Sequence, residues 1–152
     1  MPKLSLVYEP SKILRTRAHK VKNVKDHSIH TLVKDMIVAM NLANGVGLAA
    51  PQINEGLRLI IVSTKKGSIA CINPKILRKS LFKEWMEEGC LSVPGKYGIV
   101  KRHRSVTVRF IDLKGETVTM KTYGLLSQIF QHEVDHINGI LFIDKAKNLK
   151  TL

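Results

Sequence analysis

Residues 131–136 read Gln131-His132-Glu133-Val134-Asp135-His136, and the flanking chain carries the period of an α-helix. Leu125, Ile129, His132 and His136 fall at steps of four, three and four. They share one stripe of a helix expected from about Tyr123 to Asn138, with Gly139 to stop it. Residues four apart on a helix are neighbours, about 6 Å from one another. Two imidazoles so placed can grip one metal ion with nitrogens ~2.0–2.1 Å from it. Glu133 lies beside them, where its carboxylate can take a proton from water on that ion. Six histidines and seven glutamates in 152 residues make a chance HExxH an event of roughly 1 in 100. The pattern therefore outweighs the alternative of two histidines merely satisfied in a core. The stripe puts both histidines on the buried face with Leu125 and Ile129, and leaves Lys121 and Gln131 free to point elsewhere.

Such a site needs a third ligand and an open position for water. Sixteen residues follow His136, with no histidine, no glutamate and one aspartate, Asp144. The third ligand is therefore expected upstream. Cys90 is the best candidate, in the loop-like stretch Glu87-Glu88-Gly89-Cys90-Leu91-Ser92, where the neighbouring glycine allows close backbone approach. Cys71 lies between Ala70 and Ile72 in an expected strand, where a small buried thiol is the simpler role. Two cysteines make no disulfide framework. Thiolate with imidazole suits zinc, iron, nickel or cobalt.

Outward from this helix the pattern changes. Asp26 or Ser28 can cap an earlier helix in which Ile29, Leu32, Val33, Met36, Ile37 and Met40 recur at helical spacing, ending near Asn44-Gly45. Gly45 to Gln52 is small, apolar and glycine-punctuated, with one amide at its end, and Asn54-Glu55-Gly56 is a turn. Strands are expected at Leu57–Ser63 and Ile69–Ile72, joined through Lys65-Lys66-Gly67, and at Leu81–Met86. Val106, Val108 and Phe110 alternate with Thr107, Arg109 and Ile111, and Asp112–Gly115 turns this strand into a partner at Glu116–Lys121. Two helices with strands between them give an α+β class, its mostly antiparallel strands packed around the C-terminal metal-binding helix. At 152 residues the chain is expected to be a single catalytic domain, 1–152.

Charge is the unusual quantity. Twenty-five basic and twelve acidic residues give +13, with a pI near 10. Lys12 to Lys25 holds Lys12, Arg15, Arg17, Lys20, Lys22 and Lys25 with no acid. Such a balance favours anionic surroundings, a ribosome among them, although no aromatic residues interleave the bases as in a single-strand platform. No apolar run approaches the 18 or so residues of a membrane span. A cytoplasmic protein is expected, or an organellar one if a transit peptide has been removed.

Three segments, Gly45-Val46-Gly47-Leu48-Ala49-Ala50-Pro51-Gln52, Glu88-Gly89-Cys90-Leu91-Ser92 and Gln131-His132-Glu133-Val134-Asp135-His136, resemble in order and spacing the three signature motifs of the peptide deformylases. The resemblance implies removal of the formyl group from the N-terminal formyl-methionine of newly made polypeptides, with release of formate. It implies Cys90, His132 and His136 as ligands of one divalent ion, Fe2+ in the cell, with Zn2+, Ni2+ and Co2+ as substitutes. It implies Glu133 as catalytic carboxylate, and Gln52 with the Leu91 amide as donors to the oxyanion. Val46 and Gly47 would pair with extended substrate. Val46, Met86, Leu125, Ile129 and the His132 ring would line the pocket for the methionine side chain. Arg102 resembles a family arginine that pairs with Glu88. Gln128 departs from the apolar residue common near that point: it either faces outward at the rim or alters side-chain preference. Lys145 to Leu152 is a short basic tail where relatives commonly extend further, so ribosome contact would rest on the charged surface instead. Two alternatives stand beside this: a zinc metallopeptidase of another class, disfavoured by the missing downstream ligand, and a basic ribosome-associated protein with a structural metal, disfavoured because only three good ligands are visible.

Overall fold

The computed structural model describes residues 5–152. Its centre is the stretch Leu59-Ile60-Ile61-Val62, four consecutive apolar residues that are all fully buried. Side chains alternate across a strand, so burial of all four requires cover on both faces. A five-stranded antiparallel sheet supplies the frame, in the order β1 (Gly47–Ala49), β2 (Leu59–Thr64), β3 (Gly67–Lys79), β6 (Ser105–Ile111) and β7 (Thr117–Tyr123). On one face Ile60, Val62, Cys71, Val106 and Val108 meet Phe130, Val134 and Ile137 of helix α2 (Gly124–Ile137). On the other, Leu59, Ile61 and Ile72 meet Ile29, Val33, Met36 and Met40 of helix α1 (His27–Leu42). A second antiparallel sheet, β4 (Lys83–Cys90), β5 (Val93–His103) and β8 (Lys147–Thr151), closes the far side of α2 over Leu14, Val100, Leu141 and Phe142.

Local chemistry accounts for the helix ends. Asp26 caps α1 by accepting the Ser28 amide at 2.9 Å, satisfying one of the free N–H groups of the first turn. At its far end, as expected near Asn44-Gly45, the chain makes a left-handed turn, with Asn44 at φ 57°. Gly139, with φ 79°, follows α2.

Several expectations need correction. The strand expected at Ile69–Ile72 lies in the first half of the much longer β3. The strand expected at Leu81–Met86 is shifted forward, so Cys90 closes β4 and is not in a loop. β5 was not anticipated, because Pro94, Gly95 and Gly98 interrupt its alternation. The supposed tail contains β8, whose five residues are all exposed and leave no apolar signal. β8 pairs with β5, and Lys147 Nζ lies 5.2 Å from the centre of the Trp85 ring.

Candidate metal and substrate site

Cys90 ends β4 at a register break, where Cys90 pairs with Val93 directly after Gly89 pairs with Tyr97. The break turns the thiol toward α2. Gly89 is required there, because a Cβ would stand 2.9 Å from the Tyr97 ring. Cys90 Sγ lies 3.2 Å from His136 Nε2, and the ligand atoms of Cys90, His132 and His136 all fall within 4.8 Å of one another. Tetrahedral ligands 2.0–2.3 Å from an ion are about 3.3–3.8 Å apart, so little movement is needed to close on one. Among the described residues these three form the only such group of histidine, cysteine and acidic side chains. Burial, then the charges of His132 and Arg102, hold the His136 pKa well below its ordinary value, which keeps the ring in the neutral form a metal requires.

Glu133 is buried, and its Oε1 has no hydrogen-bond partner. An orphaned carboxylate oxygen beside three convergent ligand atoms fits an ion with its water. Burial pushes the Glu133 carboxyl up to about 7, against the charge of His132; a divalent cation nearby acts in the lowering direction. The carboxylate lies over Gly47, where any Cβ would collide with it.

A buried ion network orients one ligand, His132, whereas His136 Nδ1 has no hydrogen-bond partner. Arg102 Nε and Nη2 donate to the two Glu88 carboxylate oxygens at 2.7 and 2.8 Å, and Nη1 donates to Asp135 at 2.7 Å. The Arg102 and Glu88 side chains are 3% and 4% exposed, so this is no solvated surface pair. Glu88 Oε1 in turn lies 2.9 Å from His132 Nδ1, leaving Nε2 for a metal. Burial alone would raise the Glu88 pKa, but Arg102 and His132 hold it down to about 2.

A cleft of about 520 Å³ opens over these residues. Val46, Gly47, Gln52, Leu91, Leu125, Ile129, His132 and Glu133 line it, and Met86 does not. Glu87 and Glu88, the next residues of β4, do line it. Leu125 is 64% exposed at the mouth, so the expected stripe is buried only from Ile129 onward. Gln52 is buried; its Oε1 accepts the Ala49 amide at 2.9 Å, and its Nε2 lies 3.2 Å from Ser92 Oγ and 3.6 Å from Cys90 Sγ. Gln128 does not face outward. Its Nε2 donates to the Glu87 carbonyl at 2.9 Å and reaches Glu88 Oε2 at 3.3 Å.

A family profile described as polypeptide deformylase matches residues 3–152. The chain belongs to the polypeptide deformylase family. A peptide deformylase of Dictyoglomus turgidum is 46% identical over 141 residues, covering 92% of this chain and 90% of the relative. One from Halothermothrix orenii is 44% identical over 148 residues, covering 96% and 95%. A peptide deformylase crystal structure from Synechococcus elongatus, in complex with actinonin, superposes with a TM-score of 0.93 at 38% identity, covering 97% of this chain and 81% of that one. A Thermotoga maritima peptide deformylase gives 0.92 at 35% identity, covering 95% and 97%. As a deformylase, the chain is a metal-dependent hydrolase acting on the formylated N-termini of newly made polypeptides.

Within this deformylase, sequence reasoning missed Asp135, Tyr97, Ser92 and the burial of Gln131. Asp135 is an unassigned position of HExxH, yet it is the second acceptor of Arg102. Gln131 is 5% exposed and binds the His103 backbone on both sides, its Oε1 accepting from N at 2.9 Å and its Nε2 donating to O at 2.8 Å. An amide one residue before the first histidine, at a helical position facing a strand, was the available signal.

Proposed function

We propose that Glu133 is the general base and acid of deformylation, acting beside one divalent ion held by Cys90 Sγ, His132 Nε2 and His136 Nε2. When bound, such an ion supplies Lewis acidity, polarising the formyl carbonyl and making hydroxide available near neutral pH. Glu133 Oε1 takes the proton of the attacking water and returns it to the leaving nitrogen. The Gln52 Nε2 and Leu91 N–H groups donate to the oxyanion that develops on the formyl oxygen. One such donor is worth about 3–4 kcal/mol in a water-excluded site. Fixation of Gln52 by the Ala49 amide supports its role, since the donor needs no reorganisation during the reaction.

Substrate enters as an added strand. β1 is an edge of the five-stranded sheet and carries Gly47 into the cleft, so main-chain pairing at Val46 and Gly47 is available to any sequence. The methionine side chain lies against Leu125, Ile129, Val46 and the His132 ring, with Gln128 as a polar member of the wall. Met86 is left out of this set. We assign Fe2+ as the cellular ion on the family resemblance; zinc, nickel and cobalt suit the same donors. We place the activity where new chains emerge, in the cytoplasm or a protein-making organelle, and treat residues 1–152 as one catalytic domain. Among the described residues no helix is long and apolar enough to cross a membrane.

The observation that carries these roles is the buried Glu133 with its orphaned Oε1 beside three convergent ligand atoms. Formate release from formyl-Met-Ala-Ser by anaerobically purified protein, with metal content measured on the same sample, tests it. Turnover proportional to bound ion is expected. An ion-loaded protein that releases no formate, or that cleaves a blocked internal peptide instead, would overturn it.

A further inference from the structure

Away from the cleft, Val134, Asp135 and Asn138 at the end of α2 border a groove of about 680 Å³ whose lining includes Arg17, Lys20, Arg58, Lys75, Lys79 and Arg109. Its one acid is Asp135, and that carboxylate is already taken by Arg102 at 2.7 Å and Lys145 at 3.0 Å. Among the described residues none of the six bases forms an ion pair. Lys75 and Arg109 are direct partners across β3 and β6, an arrangement that repels. Burial and the charge of Arg17 both lower the pKa of Arg58. A fold that holds like charges together without counter-charges stores repulsion, which an external polyanion would relieve.

The walls are preformed. Ala18 N donates to the Ile137 carbonyl at 2.9 Å, and Asn73 exchanges hydrogen bonds with the Val21 backbone at 2.9 and 3.0 Å. Arg58 donates to the Ile137 carbonyl and to Asn138 Oδ1. A second groove of about 370 Å³ shares Ile76, Lys79 and Asp135 with the first and adds Lys83, Lys101 and Lys145. Lys75 and Lys79 are four positions apart on β3, roughly 13 Å, so the bases are spread along a track and do not converge on a point. Within the Lys12–Lys25 cluster only Arg17 and Lys20 reach the track, while Arg15 is paired with Asp144.

We propose that this track binds the phosphodiester backbone of RNA, without reading its bases. Rim lysines and arginines with no exposed aromatic favour phosphates over stacked bases. The choice of RNA among polyanions rests on the deformylase function, because chains that still carry a formyl group are found beside ribosomal RNA. The track shares no lining residue with the cleft, so RNA contact leaves the cleft open to substrate.

The test uses the full nickel-loaded chain and a fluorescein-labelled RNA hairpin, followed by anisotropy between about 50 and 300 mM KCl. A variant with Lys20→Gln, Lys75→Gln, Lys79→Gln and Arg109→Gln removes four charges from the track. A control with Lys34→Gln, Lys65→Gln, Lys66→Gln and Lys114→Gln removes four exposed charges elsewhere. The track variant should bind at least about tenfold more weakly, with a log–log salt slope reduced by about 3, and the control should stay within about twofold of wild type. Ribosome co-sedimentation should fall in the same order. Equal weakening in both variants would mean net charge alone, and no weakening in the track variant would exclude the track; either overturns the proposal. So would anionic phospholipid vesicles bound as tightly as RNA and lost equally in the track variant. Formate release from formyl-Met-Ala-Ser, near wild type in both variants, reports separately on the catalytic function.

Discussion

Cys71 and Cys90 occupy antiparallel sheets of the same chain, yet their surroundings have little in common. Cys71 sits in the middle of β3, fully buried between Ile60 and the α2 core, on a strand with neighbours on both sides. Burial pushes its thiol far up, so no thiolate is available there. Cys90 sits at the broken end of a strand, half-buried, facing two imidazoles and lining a cleft. The five-stranded sheet packs apolar side chains on both faces and gains stability from it. The three-stranded sheet gives up regular pairing at Gly89–Cys90 and sets Glu88 against Arg102. The difference teaches that the thiol ligand is placed at a strand end that opens on the cleft, while the five-stranded sheet, despite its own breaks between β3 and β6, buries its thiol and fixes the distance to α2.

Replacements can break this contrast in graded steps. Glu133→Gln should retain the ion and lose at least about two decades of kcat, measured by formate release with metal content matched to wild type. Unchanged kcat would remove Glu133 from proton transfer. Cys90→Ala should lose ion binding by about 10–100-fold or more, read by competition with a chromophoric chelator, because two imidazoles alone make a poor site. Metal retention equal to wild type would transfer the ligand role elsewhere.

Arg102→Met tests the buried network. It leaves Glu88 and Asp135 without their shared partner and should cost about 3–5 kcal/mol in denaturant unfolding near neutral pH. Glu88 has a folded pKa of about 2, below its ordinary value, so its share of the stability is fully present above the ordinary carboxylate range. That share is lost as pH falls through about 2. The gap between wild type and variant should therefore narrow on acidification; a gap independent of pH would mean packing, and not charge, holds the pair. Gln128→Leu makes a smaller change, to the cleft wall. It should raise kcat/KM for formyl-methionine relative to a formylated polar residue by about 3–10-fold, checked with a pair of tripeptides. Cys71→Ala should cost least, on the order of 1 kcal/mol, with metal content and turnover intact.

Much of this contrast was legible in the sequence because it rests on short-range spacing. His132, Glu133 and His136 are tied by one helical turn, and Asp26 and Gly139 mark helix ends by local chemistry. Cys90 could be chosen over Cys71 by its neighbours alone. What escaped depends on distant partners. By spacing Asp135 has no role and Gln131 is free to point elsewhere, until β5 brings Arg102 and His103 against them. Met86 precedes the β4 residues that line the cleft, and spacing alone does not say where along a strand a cleft wall begins. β8 has no buried residue and hence no pattern to find.

β1 is only three residues long. A sheet edge is a hazard as well as a docking place, since its unpaired backbone can recruit another copy of the protein. Three residues offer too few backbone groups for two such edges to hold each other in water. In the proposed binding mode a formylated chain gains more, because its first side chain and its formyl group find partners in the cleft at the same time. In that mode brevity is a solubility device: a three-residue edge is enough for a guest that also satisfies the cleft and too little for another bare edge.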